Sequence, residues 1–100
     1  MFKYIQQVAP DSFQVSGLVS LETVVDYRNA LVDIIASNSA DSVGIDLQNL
    51  EIKGSAILTL LISLVRESRK LEKEVVFRHC PESILAIALA CGVSEILELT

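Results

Sequence analysis

The sequence has no tryptophan, one histidine, two cysteines and five aromatic residues among its 100 residues. With so few aromatic rings, its core should be mainly aliphatic, built from leucine, isoleucine, valine and alanine. Cys80 and Cys91 do not form a CxxC pair, and a helix predicted between them holds them too far apart for a disulfide. Two free thiols are typical of a reducing cytoplasm. A zinc site is not expected, because His79 and these two cysteines are the only soft ligands.

Positive charge is also scarce in this chain. Eight Lys and Arg residues face 13 Asp and Glu residues, which gives a net charge of −5. No Lys/Arg cluster could neutralise several phosphates, so nucleic acid is excluded as a partner and an anionic membrane surface is disfavoured. The longest nearly apolar run, Ala56–Val65, is well short of the roughly 20 residues that span a bilayer. Met1–Gln7 lacks the continuous apolar stretch of a secretory signal. We therefore expect a cytoplasmic protein without direct membrane insertion.

The sequence contains none of the motifs that would indicate an enzyme. G-x-S-x-G, the P-loop and G-x-G-x-x-G are all missing. His79 and Cys80 are adjacent at the end of a predicted strand, but such a pair is more often incidental than catalytic. Asp46 could interact with the loop that leads to Ser55, yet nothing in the sequence supplies a base for that hydroxyl. We expect no catalytic residue and no cofactor.

The first third of the chain predicts a β-hairpin followed by a helix. Phe2–Ala9 and Phe13–Val19 read as strands, joined by the turn formers in Pro10–Ser12. Ser20 or Thr23 is placed to cap the helix that follows. Its apolar stripe, spaced by three and four residues, comprises Val24, Tyr27, Leu31, Ile34 and Ile35, and it ends near Ser37–Ser39.

The remaining chain alternates strands and helices. Val43–Leu47 is predicted to be a buried strand, followed by a polar loop and a helix over Ser55–Leu71. Glu74–Arg78 is a further strand, and Pro81 fits the first turn of a last helix that Gly92 would end. The core stripe of this last helix comprises Ile84, Leu85, Ala88 and Leu89, and Ile96–Leu99 form a short strand or a helical turn.

This order of elements defines an α/β fold class. The arrangement β-β-α-β-α-β-α predicts a single domain over residues 1–100 with a small mixed sheet of about four to five strands. Strands joined through a helix should be parallel and connected right-handedly. With several helices and one small sheet, we expect the helices to pack mainly on one face.

The helix predicted to begin near Ser55 has an unusual outer side. Leu58 and Ile62 are predicted on that side or at its edge, close to Ser55. Few charges occur in its first two turns, so this side is typical of a docking surface, although scattered surface hydrophobes are equally compatible with it. The core side comprises Ile57, Leu60, Leu61, Leu64 and Leu71, and the polar stripe comprises Ser55, Thr59, Ser63, Arg66 and Lys70.

Three segments of the chain resemble the STAS domain family, which includes anti-sigma-factor antagonists and sulfate-transporter tails. Residues 43–50 (VGIDLQNL) are similar to the family strand "hydrophobic-D-L-S-G-V". Residues 54–61 (GSAILTLL) stand where the family has D-S-x-G-L-x-x-L, and residues 92–97 (GVSEIL) are similar to its closing G-L-x-x-I-L/F. Residues 15–19, 25–28 and 64–70 resemble the cytoplasmic STAS subunits of phospholipid-transporting ABC complexes.

This resemblance implies a non-catalytic accessory subunit. Such a subunit binds and supports the ABC ATPase subunit and, through it, contacts a membrane permease in a complex that maintains outer-membrane lipid asymmetry. Ser55 matches the hydroxyl residue of that interface. We expect its neighbours on the same loop and helix to contribute to partner binding, namely Lys53, Gly54, Leu58, Thr59 and Ile62.

The same family also offers an alternative function. An anti-sigma-factor antagonist would have Ser55 phosphorylated by an anti-sigma serine kinase and would act as a partner switch. Phosphorylated antagonists, however, have Asp before this serine and Gly two residues after it, where this chain has Gly54 and Ile57. The motif around Ser55 therefore favours the ATPase-binding function.

Overall fold

The computed structural model describes residues 2–93, and these residues form four strands and three helices in the predicted order. The prediction for Ile96–Leu99 lies outside the described residues. The elements are β1 (Ile5–Ala9), β2 (Ser12–Val19), α1 (Val24–Ser37), β3 (Ser42–Ile52), α2 (Ala56–Lys70), β4 (Glu74–Arg78) and α3 (Glu82–Ala90).

The four strands form one mixed sheet in the order β1-β2-β3-β4. β1 and β2 are antiparallel, as expected for a hairpin. β2 and β3 are parallel, and so are β3 and β4. The parallel pairs are the ones joined through α1 and α2, because a helical crossover returns the chain to the same end of the sheet. The predicted mixed sheet is confirmed.

One face of this sheet carries the core. Along β2, Phe13, Val15 and Val19 are buried, while Gln14 and Leu18 on the opposite face are accessible to solvent. The helices contribute to the same core cluster, so they cover this face of the sheet. Their buried side chains include Tyr27, Leu31 and Ile35 of α1, Ile57, Leu60, Leu61 and Leu64 of α2, and Ile84 and Ala88 of α3.

Tyr27 fixes α1 to the sheet through a polar contact. Its ring is buried, and its hydroxyl donates a hydrogen bond to the carbonyl oxygen of Ser16 in β2 at 2.6 Å. Burial raises the pKa of Tyr27, so the phenol keeps the proton that it donates. The contact holds the N-terminal half of α1 against β2.

β3 is longer than its sequence indicates. The sequence predicts a polar loop after Leu47, and this prediction is wrong because the strand continues to Ile52. The register against β2 passes from the pair Gln14–Asp46 to the pair Ser16–Asn49, so β3 holds one extra residue in a β-bulge. Asp46 Oδ1 accepts a hydrogen bond from the Gln48 amide at 2.8 Å inside this bulge. The polar residues therefore belong to a bulge and not to a loop.

Two leucines predicted in core stripes lie at the surface. Leu71 is 40% exposed because it is the C-cap residue of α2, where the helical periodicity ends. Leu89 is 67% exposed. At about 100° per residue it lies about 100° from Ala88 and about 140° from Ile84, away from the buried line of α3.

The C-termini of α2 and α3 share one capping geometry. Lys73 N donates to Ser68 O at 2.8 Å and Glu72 N donates to Arg69 O at 3.1 Å. Val93 N and Gly92 N make the corresponding bonds to Ala88 O and Leu89 O, so both ends are Schellman motifs. The residue after each cap has a positive φ, 57° at Glu72 and 71° at Gly92. Only glycine adopts this conformation without strain from its Cβ.

This difference predicts a stabilising substitution. Glu72→Gly should raise the free energy of unfolding by about 1 kcal/mol, because it removes Cβ strain at the end of α2. Urea unfolding would measure this change. The matched control is Gly92→Ala, which introduces the same strain at the end of α3 and should lower the free energy of unfolding. Destabilisation by Glu72→Gly would contradict the assignment.

Candidate functional site

The candidate site lies where β2 and β3 end at the same edge of the sheet. Val19 pairs with Ile52, and Lys53 N donates a hydrogen bond to Val19 O at 3.0 Å. Because the two strands are parallel, the segments that follow them leave the sheet side by side. They enclose a hollow of about 430 Å³, called here the Ser55 hollow, which is lined by Ser20, Leu21, Glu22, Lys53, Gly54, Ser55 and Ala56.

One wall of the Ser55 hollow is the turn that leads into α2. Gly54 has a φ of +70°, and this conformation lets β3 turn into the helix within three residues. Ser55 is the N-cap of α2, but its hydroxyl makes no capping hydrogen bond. The side chain is exposed, and only the Ser55 carbonyl takes part in the first turn, accepting from Leu58 N at 3.0 Å. The hydroxyl is therefore available to a partner.

The other wall is held by side-chain hydrogen bonds. Thr23 Oγ1 accepts from Ser20 N at 2.9 Å and donates to Leu18 O at 2.8 Å. Ser20 Oγ is buried and donates to Glu22 Oε2 at 2.8 Å. This bond to Ser20 holds the pKa of the Glu22 carboxyl below its usual range. The wall thus presents an ionised carboxylate in a fixed turn.

Leu21 gives this wall an apolar group. Its side chain is 83% exposed, although it lines the hollow together with Ser55. Val25, four residues further along the chain and at the start of α1, is 59% exposed. An apolar side chain, a hydroxyl, one carboxylate and one ammonium group from Lys53 therefore share a concave surface. That combination is typical of a protein-binding surface, with an apolar centre and a polar rim.

The residues predicted for partner binding fall into two groups. Lys53, Gly54 and Ser55 lie together in the hollow, and Thr59 is exposed one turn further along α2. Ile62 is half-buried and packs against the core cluster. The placement of Leu58 on the outer side is wrong, because its side chain is 7% exposed and belongs to the core.

The sequence did not indicate Ser20, Leu21 and Glu22 as site residues. They lie far from Ser55 in the chain, and parallel pairing of β2 with β3 brings them next to it. No local pattern marks these three residues. The available signal was the predicted parallel pairing of the two strands, because the carboxyl ends of parallel strands meet at one edge of the sheet.

Asp46 and His79 lie apart from the Ser55 hollow. His79 Nδ1 is 2.8 Å from Asp46 Oδ2, and Asp46 Oδ1 accepts from the Gln48 amide. Asp46 therefore contacts the residue that follows β4 and the bulge of β3, and not the loop to Ser55. The Cys80 thiol donates to Pro81 O at 3.7 Å, and burial raises the pKa of this thiol.

Among residues 2–93, no three His, Cys, Asp or Glu side chains are grouped to hold a metal ion. Within the same residues, no helix has the length and apolar character needed to cross a bilayer.

Three solved structures superpose on most of this chain. The anti-sigma factor antagonist SpoIIAA in its unphosphorylated form superposes with a TM-score of 0.69 at 12% identity, covering 91% of this chain and 81% of that one. The Bacillus cell fate determinant SpoIIAA in its phosphorylated form gives 0.65 at 12% identity, covering 91% and 84%. A chain of the Acinetobacter MlaFEDB complex in an ATP-bound conformation gives 0.68 at 25% identity, covering 85% and 88%. The chain has the STAS fold.

Comparisons of the sequence alone found no match to this chain. No protein-family model and no curated protein sequence matches it. Its likeness to SpoIIAA concerns the fold. In the Acinetobacter chain, by contrast, a quarter of the aligned residues are also identical. The four-stranded mixed sheet with three helices among residues 2–93 is the STAS architecture.

The hydrogen bonds of the two walls predict different roles for their hydroxyls. Ser55→Ala should change the free energy of unfolding by less than about 0.5 kcal/mol, because the Ser55 hydroxyl makes no cap bond. Thr23→Ala is the matched control, and it should lower stability by about 1–2 kcal/mol, because two hydrogen bonds are lost. Urea unfolding distinguishes the two. Equal destabilisation by both substitutions would show that Ser55 is a structural residue.

Proposed function

We propose that this STAS domain is a non-catalytic accessory subunit that binds the ATPase of a phospholipid-transporting ABC complex through the Ser55 hollow. The observation that carries the proposal is an exposed helix-capping hydroxyl without a capping bond, placed beside the exposed Leu21. The 25% identity to a chain of the Acinetobacter MlaFEDB complex, whose STAS subunit is MlaB, supports this choice of partner.

The chemistry of the hollow suits a protein partner. Leu21 can enter an apolar pocket of the ATPase, and burial of one such side chain contributes about 1.5–3 kcal/mol. The Ser55 hydroxyl can donate to or accept from a backbone group of the partner. Glu22 and Lys53 form the charged rim, and they fix orientation more than affinity.

The same assembly defines where the domain works. Bound to the ATPase, it lies on the cytoplasmic side of the inner membrane and reaches the permease only through that subunit. The complex would move phospholipids to maintain outer-membrane lipid asymmetry. The role of the STAS domain is to support the assembly and activity of the ATPase, without chemistry of its own.

Substitution at Ser55 tests the interface directly. Ser55→Arg should abolish binding to the isolated ATPase while leaving the domain folded, because the long charged side chain fills the hollow. Calorimetric titration would measure the affinity, and circular dichroism would check folding. The control is Gln6→Arg, which introduces the same side chain on exposed β1. Unchanged affinity of the Ser55→Arg variant would show that the interface lies elsewhere.

Leu21 provides a second and independent test. Leu21→Ala should weaken ATPase binding by about tenfold or more, because a central apolar anchor is truncated. The free energy of unfolding of this variant should remain unchanged, since Leu21 is 83% exposed. Leu89→Ala is the matched control at another exposed leucine, on α3. If Leu21→Ala leaves the affinity as unchanged as the Leu89→Ala control does, Leu21 is not an anchor.

The alternative is an anti-sigma-factor antagonist switched by phosphorylation of Ser55. It is favoured by the superposition on SpoIIAA in both unphosphorylated and phosphorylated forms. A phosphate would be stabilised at the N-terminus of α2 and would repel an acidic partner. Ile57 weighs against it, since a fully buried side chain stands where phosphorylated antagonists have Gly. Intact-mass spectra of the chain from its native host, showing stoichiometric phosphorylation at Ser55, would establish this alternative.

A further inference from the structure

A second concave surface lies at the C-terminal end of α2. It measures about 390 Å³ and is lined by Ile62, Val65, Arg66, Arg69 and Lys70. Ile62 and Val65 are half-buried and pack against the core cluster, so they form an apolar floor. Arg66, Arg69 and Lys70 are exposed and form a positively charged rim. We call this surface the basic groove.

The rim concentrates positive charge in an acidic protein. Arg66, Arg69 and Lys70 are three of eight Lys and Arg residues in a chain of net charge −5. Glu67 lies between them, but it is engaged by Arg28 at 3.5 Å and by Lys70 at 3.4 Å. Within residues 2–93, Arg66 and Arg69 make no ion pair. Two guanidinium groups therefore flank an apolar floor with their charge uncompensated.

Helix stability accounts for only part of this arrangement. Arg69 and Lys70 in the last turn of α2 interact favourably with the helix dipole, and this is a sufficient structural reason for both. It does not apply to Arg66, one turn earlier, nor to the half-buried Ile62 and Val65 between the charges and the core. An apolar floor with a cationic rim is the complement of an apolar side chain flanked by carboxylates.

The basic groove continues the surface of the proposed function. Ser55, Thr59, Ile62, Arg66 and Arg69 follow one another on α2 at steps of three and four residues, so they occupy one side of the helix. At 1.5 Å per residue, this stripe is about 21 Å long. A single helix of about 14 residues on a partner could contact it from end to end.

We infer that the basic groove binds an acidic segment of the partner ATPase, which places an apolar side chain on Ile62 and Val65 and carboxylates on Arg66 and Arg69. This inference rests on the proposed function and names the second contact of the same partner. A guanidinium group pairs with a carboxylate through two parallel hydrogen bonds, which makes arginine suited to this recognition. An anionic membrane is the weaker alternative, because three cations contribute only about 1 kcal/mol each on a chain that is acidic elsewhere.

Charge reversal tests the inference. The affinity of the isolated ATPase would be measured for the unaltered domain and for Arg66→Glu/Arg69→Glu, at about 50 and about 300 mM NaCl. The reversal should weaken binding at least tenfold at low salt and should remove the salt dependence shown by the unaltered domain. Arg66→Lys/Arg69→Lys keeps the charge and should retain the salt dependence with an intermediate affinity. The control is Lys3→Glu/Arg78→Glu, with the same change in net charge on exposed residues outside α2.

Each outcome separates the inference from the proposed function. If the unaltered domain binds and the reversal of Arg66 and Arg69 leaves affinity within twofold, the inference is wrong and the proposed function stands. If the Lys3/Arg78 control loses as much affinity as the reversal, net charge alone is responsible and the inference is wrong. If the unaltered domain does not bind the ATPase, both are overturned. Retention on vesicles containing phosphatidylserine that the reversal abolishes, with ATPase affinity unchanged, would instead identify a membrane surface.

Discussion

The parallel pairing of β2 with β3 is the constraint on which the rest of the structure depends. It buries the apolar residues of both strands on one face and brings the ends of the two strands to one edge. The Lys53–Val19 hydrogen bond closes this edge, and the two walls of the Ser55 hollow begin on either side of it. Neither wall forms a concave surface alone. The candidate site is therefore a consequence of long-range pairing between segments separated by all of α1.

The elements that could be predicted are those specified by local patterns. The bounds of β4 follow from a short β-branched and aromatic run between charged residues, and the end of α3 follows from Gly92. The bulge in β3 could not be predicted, because Gln48 and Asn49 have the composition of a loop and their pairing with β2 is a long-range property. The burial of Leu58 could not be predicted for a similar reason. The helical periodicity gives the angular position of Leu58 on α2, but it does not give how much of the helix surface the sheet and the other helices cover.

The site was predictable on one wall only. Ser55 stands out in the sequence because a hydroxyl follows a strand and begins a helix, and the structure places it at that position. Leu21 does not stand out, because an exposed leucine has no local signature and acquires a role only from its neighbours in space. The two concave surfaces on α2 also differ in kind. The Ser55 hollow is defined by shape and one free hydroxyl, whereas the basic groove is defined by charge on an apolar floor.

The bulge in β3 has a consequence for how this chain can vary in length. Before it, Val43, Ile45 and Leu47 face the core at odd positions, and after it Leu50 is buried at an even one. Removing one residue between Leu47 and Leu50 would restore regular pairing with β2 and leave both leucines on the core face, whereas removing one from a regularly paired part of β3 would turn every side chain on one side of the deletion to the opposite face. Within β3, the bulge is thus where the loss of one residue disturbs the packing least. Changes of length by one residue among related sequences should therefore fall in this bulge or in the turns at either end of α1, where no downstream side chain is forced to change faces.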